Sequence, residues 1–286
     1  MTKYKHILFF NQIGIESLSE VGGKNASLGE MYNQLNPIGI SIPNGFAVTA
    51  EAYRLFRKEN NLEQTLQELL LPLDTKEYSN LSTIGEKARN LILAATMPSE
   101  IREEIKVAYQ SLGEQCEINN VNVAVRSSAT SEDLPTASFA GQMQSFLNIN
   151  CADQLLDAVH RCFVSLFTDR AIKYRNDMGF AEMDIAISVG VQQMVRSDKA
   201  SSGVAFTIDP DSGFENTIII NGCWGLGENI VQGAVTPDEW MVFKPTLENP
   251  DLNPILKKQC GKKEFTMIYA EKTESTSAEN TIVNTK

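Results

Sequence analysis

The sequence predicts a mixed fold, α+β with α/β character, in two lobes: a helix-rich first lobe over residues 1–196 and a strand-rich second lobe over 197–286. Three observations predict it. Apolar residues recur at helical spacing between Gly23 and Leu112; the period switches to two at Val121–Val125 and again at Ile185–Val191; and short strand patterns set off by glycine and proline turns fill the remainder.

The first helix follows Gly22-Gly23 and carries Leu28, Met31, Tyr32 and Leu35 along one face, with Asn36-Pro37 ending it. A strand and turn run through Ile40 to Val48, after which Thr49 caps a helix that buries Tyr53 and Phe56. Thr83 and Glu86 form a capping box ahead of Ala88, Leu91, Ile92 and Ala95, and Pro98 opens a helix with Ile101, Ile105, Tyr109 and Leu112 inside. Val121, Val123 and Val125 then alternate against Asn122, Ala124 and Arg126, a half-buried strand that Arg126 ends. Past a polar loop, a strand near Ser145–Ile149 leads to a helix capped by Asp153, with Leu156, Val159, Phe163 and Leu166 on its inner stripe, and to a further helix reaching Gly179. Ile185, Ile187, Val189 and Val191 alternate against Ala186, Ser188 and Gly190, and Gln192 shares the small-residue face. Val204–Ile208, Thr217–Asn221 and Glu239–Phe243 are strands separated by Asp209-Pro210 and Gly225-Leu226-Gly227. The polar end, Glu271–Lys286, reads as exposed, without a packed final element.

Lys and Arg number 25 against 36 Asp and Glu, and the net charge of −11 argues against a general binder of nucleic acid or of membrane surfaces. A chain this acidic must gather its few cations locally to hold a polyanion. The five cysteines show no Cys-x-x-Cys or Cys/His ligand spacing and read as reduced thiols. With no apolar run long enough to span a bilayer, the expected location is cytoplasmic.

Gly22-Gly23-Lys24 sits at a helix start. Lysine is mildly unfavourable at the positive end of a helix dipole unless an anion uses both, so the tripeptide suits a phosphate, although an ordinary turn also explains it. It is not a Walker A loop, which would need glycine at Leu18 and a hydroxyl residue at Asn25. Arg126 and the hydroxyl-rich Ser127–Asp133 segment offer donors to phosphate oxygens, or form a surface strand end and loop. Ala137-Ser138-Phe139-Ala140-Gly141-Gln142 is small enough to close over a ligand, or to serve as a plain hairpin. Gly222–Glu228 fails the dinucleotide fingerprint because the third glycine would fall at Ile230, and Asp209/Asp211 reads as a turn rather than a metal site. His6 and His160 read as solvated or packed, not catalytic.

Taken together, GGKNASLGEM (Gly22–Met31), AVRSSATSEDLPTASFAGQMQSFLNI (Ala124–Ile149), SLFTDRAIKYR (Ser165–Arg175), VQQMVRSDKASSGVAFTIDPDSGF (Val191–Phe214) and WGLGENIVQGAVTPDEW (Trp224–Trp240) resemble the phosphoenolpyruvate synthase (pyruvate, water dikinase) family, within the wider group of pyruvate phosphate dikinases and rifampicin phosphotransferases. The likeness runs from about Val21 to Lys244. It implies an ATP-grasp-like nucleotide-binding domain, incomplete at its C-terminal side. By resemblance, Lys24 and Arg126 match the cations on the ATP phosphates and on the transition-state charge, Ser138, Phe139, Ala140, Gly141 and Gln142 match the loop that closes over them, and Gln192 falls beside the adenine. The resemblance also implies Mg2+, whose glutamate ligand is expected beyond Lys286, so no metal ligand is assigned here. Pyruvate and a phosphohistidine domain are partners expected of the full-length enzyme, which would make phosphoenolpyruvate, AMP and phosphate in gluconeogenesis, while these 286 residues alone would catalyse no overall reaction. An ATP domain of an antibiotic phosphotransferase and a non-catalytic nucleotide module are the alternatives. The oligomeric state stays open, a homodimer included.

Overall fold

The computed structural model describes residues 4–130, 133–134, 137–138, 145–179, 185–269 and 280–284. They form two compact units, Met1–Met194 and Val195–Lys286, and the fold is mixed α+β.

The first unit is built on one antiparallel sheet of β1 (Ile7–Phe9), β2 (Gly45–Val48), β3 (Val123–Ala129), β6 (Ser145–Ile149) and β7 (Ile187–Gln193), ordered β1-β2-β7-β3-β6. Among the described residues, the short strands β4 (Asp133–Leu134) and β5 (Ala137–Ser138) pair with each other. Its helices are α1 (Leu18–Leu35), α2 (Ala50–Glu59), α3 (Leu62–Leu70), α4 (Leu81–Ala94), α5 (Ser99–Cys116), α6 (Ala152–Ser165) and α7 (Asp169–Asp177).

The two faces of the sheet differ in side-chain size, and this decides what lies on each. Phe46, Val48, Val123, Val125, Ile187, Val189 and Val191 join a large core with Tyr53, Phe56, Ile92, Ile105, Leu112 and Phe163 from the helices. The opposite face carries Ala47, Ser128, Ser188 and Gly190, and there α1 packs with Phe10, Ile13, Val21 and Ala26. Because both faces are covered, β7 is buried from Ile187 through Val191.

Several expected boundaries shift. β3 does not stop at Arg126; it runs on to Ala129, with Ser127 and Ser128 buried where a polar loop was expected. The Ser128 hydroxyl is tolerated there because α1 supplies the Asn25 N–H to it. Met31 is 39% exposed, although Leu28 and Tyr32 on the same expected face pack against the core of Phe10, Ile13, Val21 and Ala26. Helix α4 starts at Leu81, so Thr83 and Glu86 lie inside it and form no capping box. Pro98 occupies the N-cap of α5 rather than its first turn, and Cys151, not Asp153, is the N-cap of α6. Thr49 is the N-cap of α2 without a side-chain cap bond.

The second unit holds the antiparallel sheet β11-β10-β9-β8, made of β8 (Ser201–Phe206), β9 (Thr217–Trp224), β10 (Asp238–Phe243) and β11 (Ile255–Gln259), with a short helix α8 (Glu228–Val231). A second ladder pairs β12 (Phe265–Tyr269) with β13 (Asn280–Asn284). Strands β11 and β12 were not expected, and β13 forms within the end read as lacking a packed element.

Candidate functional site

Gly22 interrupts α1. Its backbone sits at φ 71°, ψ 165°, a conformation essentially restricted to glycine, and a Cβ there would run into Ser128 Oγ and the carbonyl oxygens of Ser128 and Ala129. The helical run therefore restarts at Gly23, hard against β3, with Lys24 and Asn25 in its first turn. Asn25 is 2% exposed. Its Nδ2 donates to the Val21 carbonyl at 3.1 Å and to Ser188 Oγ at 3.0 Å, and its backbone N–H donates to Ser128 Oγ at 3.4 Å. This turn is thus tied to the end of β3 and the start of β7 while the Lys24 side chain stays exposed.

On the sheet, the register pairs Arg126 with Gly190 and Ala124 with Gln192. Arg126 and Gln192 are diagonal neighbours on the small-residue face that α1 covers. They lie with Gly23, Lys24 and Gly190 around a cleft of about 580 Å³, whose apolar side is formed by Ile15, Leu18 and Leu28. Gln192 Nε2 donates to the Pro43 carbonyl at 3.3 Å. Two cations, a helix start and an apolar wall suit a ligand with an anionic end and a flat apolar end. Among the described residues, the lining contains no carboxylate, so it does not fit a magnesium ion held directly by protein oxygens.

Lys24, Arg126 and Gln192, nominated from the sequence, all lie on this cleft. Ser138 is placed by its backbone in β5, opposite Asp133, and Phe139, Ala140, Gly141 and Gln142 lie outside the described residues. Ser128, read within the hydroxyl-rich segment as a donor to phosphate, instead accepts from the Asn25 N–H, while Asn25, Ser188 and Gly190, which hold the cleft in shape, carried no expectation as site residues. The only signal for them was the small-residue alternation of β7.

Other candidates resolve locally. Asp209 accepts from the Asp211 N–H at 3.0 Å and from Ser212 Oγ at 2.5 Å, hydrogen bonds that close a turn and hold its carboxyl below the usual carboxylate range. His160 Nε2 lies 2.8 Å from the Ile92 carbonyl and its ring packs edge-on against Phe56. Gly225, at φ 76°, abuts the Met267 carbonyl, as a close-packed glycine turn requires.

The family model of the pyruvate phosphate dikinase AMP/ATP-binding domain matches residues 18–285. The chain belongs to that family. Among curated relatives, it is 50% identical over 267 residues to the phosphoenolpyruvate synthase of Synechocystis sp., covering 92% of this chain and 32% of that protein. To the phosphoenolpyruvate synthase of Helicobacter pylori it is 48% identical over 266 residues (93% and 33%), and to that of Escherichia coli 47% over 264 residues (92% and 33%). The chain thus spans about a third of the length of these relatives. In this member of the AMP/ATP-binding domain family, the matched region takes in the whole cleft lining except Ile15. No helix among the described residues is long and apolar enough to cross a membrane.

Proposed function

We propose that the cleft binds ATP, with Lys24 and Arg126 on the phosphates, Gln192 beside the adenine, and the apolar wall of Ile15, Leu18 and Leu28 against the nucleotide's less polar part. The observation that carries this reading is the convergence of Lys24, Arg126 and Gln192 on one cleft. Phosphoryl transfer spreads negative charge over the equatorial oxygens of the moving group, so both cations act in the transition state as well as in ground-state binding. Lys24 is delivered by a turn anchored through Asn25, and Arg126 by a strand hydrogen-bonded on both sides. Neither has to be reorganised at the moment of reaction.

In the full-length protein, this domain serves a phosphoenolpyruvate synthase. ATP, pyruvate and water become AMP, phosphoenolpyruvate and phosphate through a phosphohistidine on another domain. Magnesium enters with the triphosphate and takes its carboxylate ligands from outside the described lining. The segment from Ser138 to Gln142 closes over the phosphates, residues 1–196 and 197–286 act as the two ATP-grasp lobes, and the protein works in the cytoplasm.

Calorimetric titration with ATP tests the site. Losing one charge-assisted contact of about 1.5–3 kcal/mol should weaken binding roughly 10- to 100-fold in Lys24→Ala and in Arg126→Ala. Unchanged affinity in both variants, with an intact circular dichroism spectrum, would remove the assignment. For the whole protein, AMP release must depend on pyruvate.

A further inference from the structure

Outside the cleft, the described residues bring one histidine and two glutamates together at the edge of the first unit. His6 immediately precedes β1, and Glu100 and Glu104 lie four residues apart on α5, on one helix face. One ligand atom from each of the three falls within 4.8 Å of the others.

The His6 side chain is 1% exposed, and no hydrogen bond among the described residues reaches its Nδ1. A buried imidazole nitrogen that makes no hydrogen bond is costly and calls for an explanation. Nδ1 lies 3.5 Å from Glu104 Oε1. Two ligand atoms about 2.1 Å from a tetrahedral ion stand roughly 3.4 Å apart, so that spacing has room for a shared cation as well as for a direct ion pair.

Glu104 is also held in place. Its Oε2 accepts from the His6 N–H at 2.8 Å and its Oε1 from the Lys5 N–H at 3.1 Å, the outer hydrogen bonding that keeps a ligating carboxylate aimed. Glu100 is half exposed, and its present partner, the Lys5 ammonium at 3.6 Å, is a surface pair of the weak kind. Its carboxylate can therefore swing to a third position, and the same side gives the ion its way in.

We propose that His6 Nδ1, Glu104 and Glu100 form a site for a borderline divalent cation of the Zn2+ class, clamping the start of β1 to α5. The imidazole selects against Mg2+ and Ca2+, which prefer oxygen alone.

The test is calorimetric titration of the chelator-treated protein with ZnCl2, alongside E100Q and H6Q, and a visible spectrum of the protein with Co2+. The expected result is one Zn2+ per chain, weakened about tenfold or more in E100Q and lost in H6Q. The Co2+ adduct should show d–d bands without thiolate charge-transfer absorption, which separates this site from the five free cysteines. If H6Q fails to fold, E100Q alone decides, because Glu100 is half exposed and its ion pair with Lys5 is of the weak surface kind. The proposal is overturned by absence of saturable Zn2+ binding, by equal affinity in E100Q, or by a thiolate band on the Co2+ adduct.

Discussion

Asn25 Nδ2 reaches Ser188 Oγ at 3.0 Å, so the residue next to Lys24 is fastened to β7 one residue inside its start. The same amide donates to the Val21 carbonyl, across the break at Gly22. Replacing Asn25 by Ala removes both bonds and leaves a buried carbonyl and hydroxyl without that donor. The expected loss is about 1–3 kcal/mol of stability for such orphaned groups, measured as a shift in the urea midpoint. If the turn positions Lys24 for phosphate, ATP affinity should fall in Asn25→Ala even under conditions where the variant is fully folded. A stable variant with unchanged ATP affinity would show that Lys24 needs no such anchor.

Two glycines with positive φ separate backbone strain from steric exclusion. Gly22 combines φ 71° with a Cβ position already occupied by the backbone oxygens of Ser128 and Ala129. Gly39 has φ 88°, ψ 8° and nothing within 4 Å of its added Cβ. Gly39→Ala should cost about 1–2 kcal/mol, the left-handed penalty alone. Gly22→Ala should cost roughly 2–6 kcal/mol, because strain and overpacking of about 1–3 kcal/mol each act together. Denaturant midpoints of the two variants, measured side by side, check the ordering; equal costs would mean that α1 slides away from β3 without penalty.

Much of the first unit was legible because its signals are local. The stripes of α2 and α5 and the alternation in β7 come from contiguous residues, and Tyr53, Phe56, Ile101, Ile105 and Leu112 are buried as their spacing demands. Ser127-Ser128 misled because hydroxyls following Arg126 look like the start of a loop, whereas β7 pairs with the strand through Ala129 and α1, a hundred residues away, supplies the Asn25 N–H to Ser128. Asn25 itself looks like a surface amide until Gly190 and Ser188 leave room for it under the helix. Charged or polar strands such as β11 and β13 carry no apolar alternation at all, and their backbone pairing leaves little trace in the side chains. Lys24, Arg126 and Gln192 could be nominated from motif order, whereas their common cleft required the strand register.

Thiol reactivity should sort by burial. Cys162 is fully buried among α6 core residues, and burial pushes its thiol far above the usual range, while Cys260 is exposed. Burial also raises Cys116. The thiolate is the reacting species. With a disulfide reagent at mildly alkaline pH, Cys260 should label first and Cys162 only as the chain unfolds, its rate following denaturant concentration. Mass spectrometry of digests taken at successive times identifies the order, and fast labelling of Cys162 in the native protein would contradict the packing of α6.

Asp238 and Lys263 form an ion pair in the second unit, and Asp238 also accepts from the Gly261 N–H at 2.8 Å. The Lys263 ammonium, followed by that backbone donor, holds the Asp238 carboxyl below its ordinary 3.8. The pair raises Lys263 in turn, with Asp238 as the first cause. A carboxyl whose folded value is depressed contributes stability above its unfolded value and loses it as pH falls through the folded one; a raised lysine contributes below its unfolded value and loses it as pH climbs through the folded one. The stabilising window therefore runs from just above pH 4 to the lower edge of the lysine range. Asp238→Asn should lower the melting temperature across that window, and the gap to the wild type should close below the folded pKa of Asp238, where the wild-type carboxyl is itself protonated. A gap that stays constant from neutral pH down to that acid limit would trace the loss to packing indifferent to the charge on Asp238, because both the ion pair and the Gly261 hydrogen bond favour the ionised carboxylate, and would remove the ion pair from the account of this unit's acid stability.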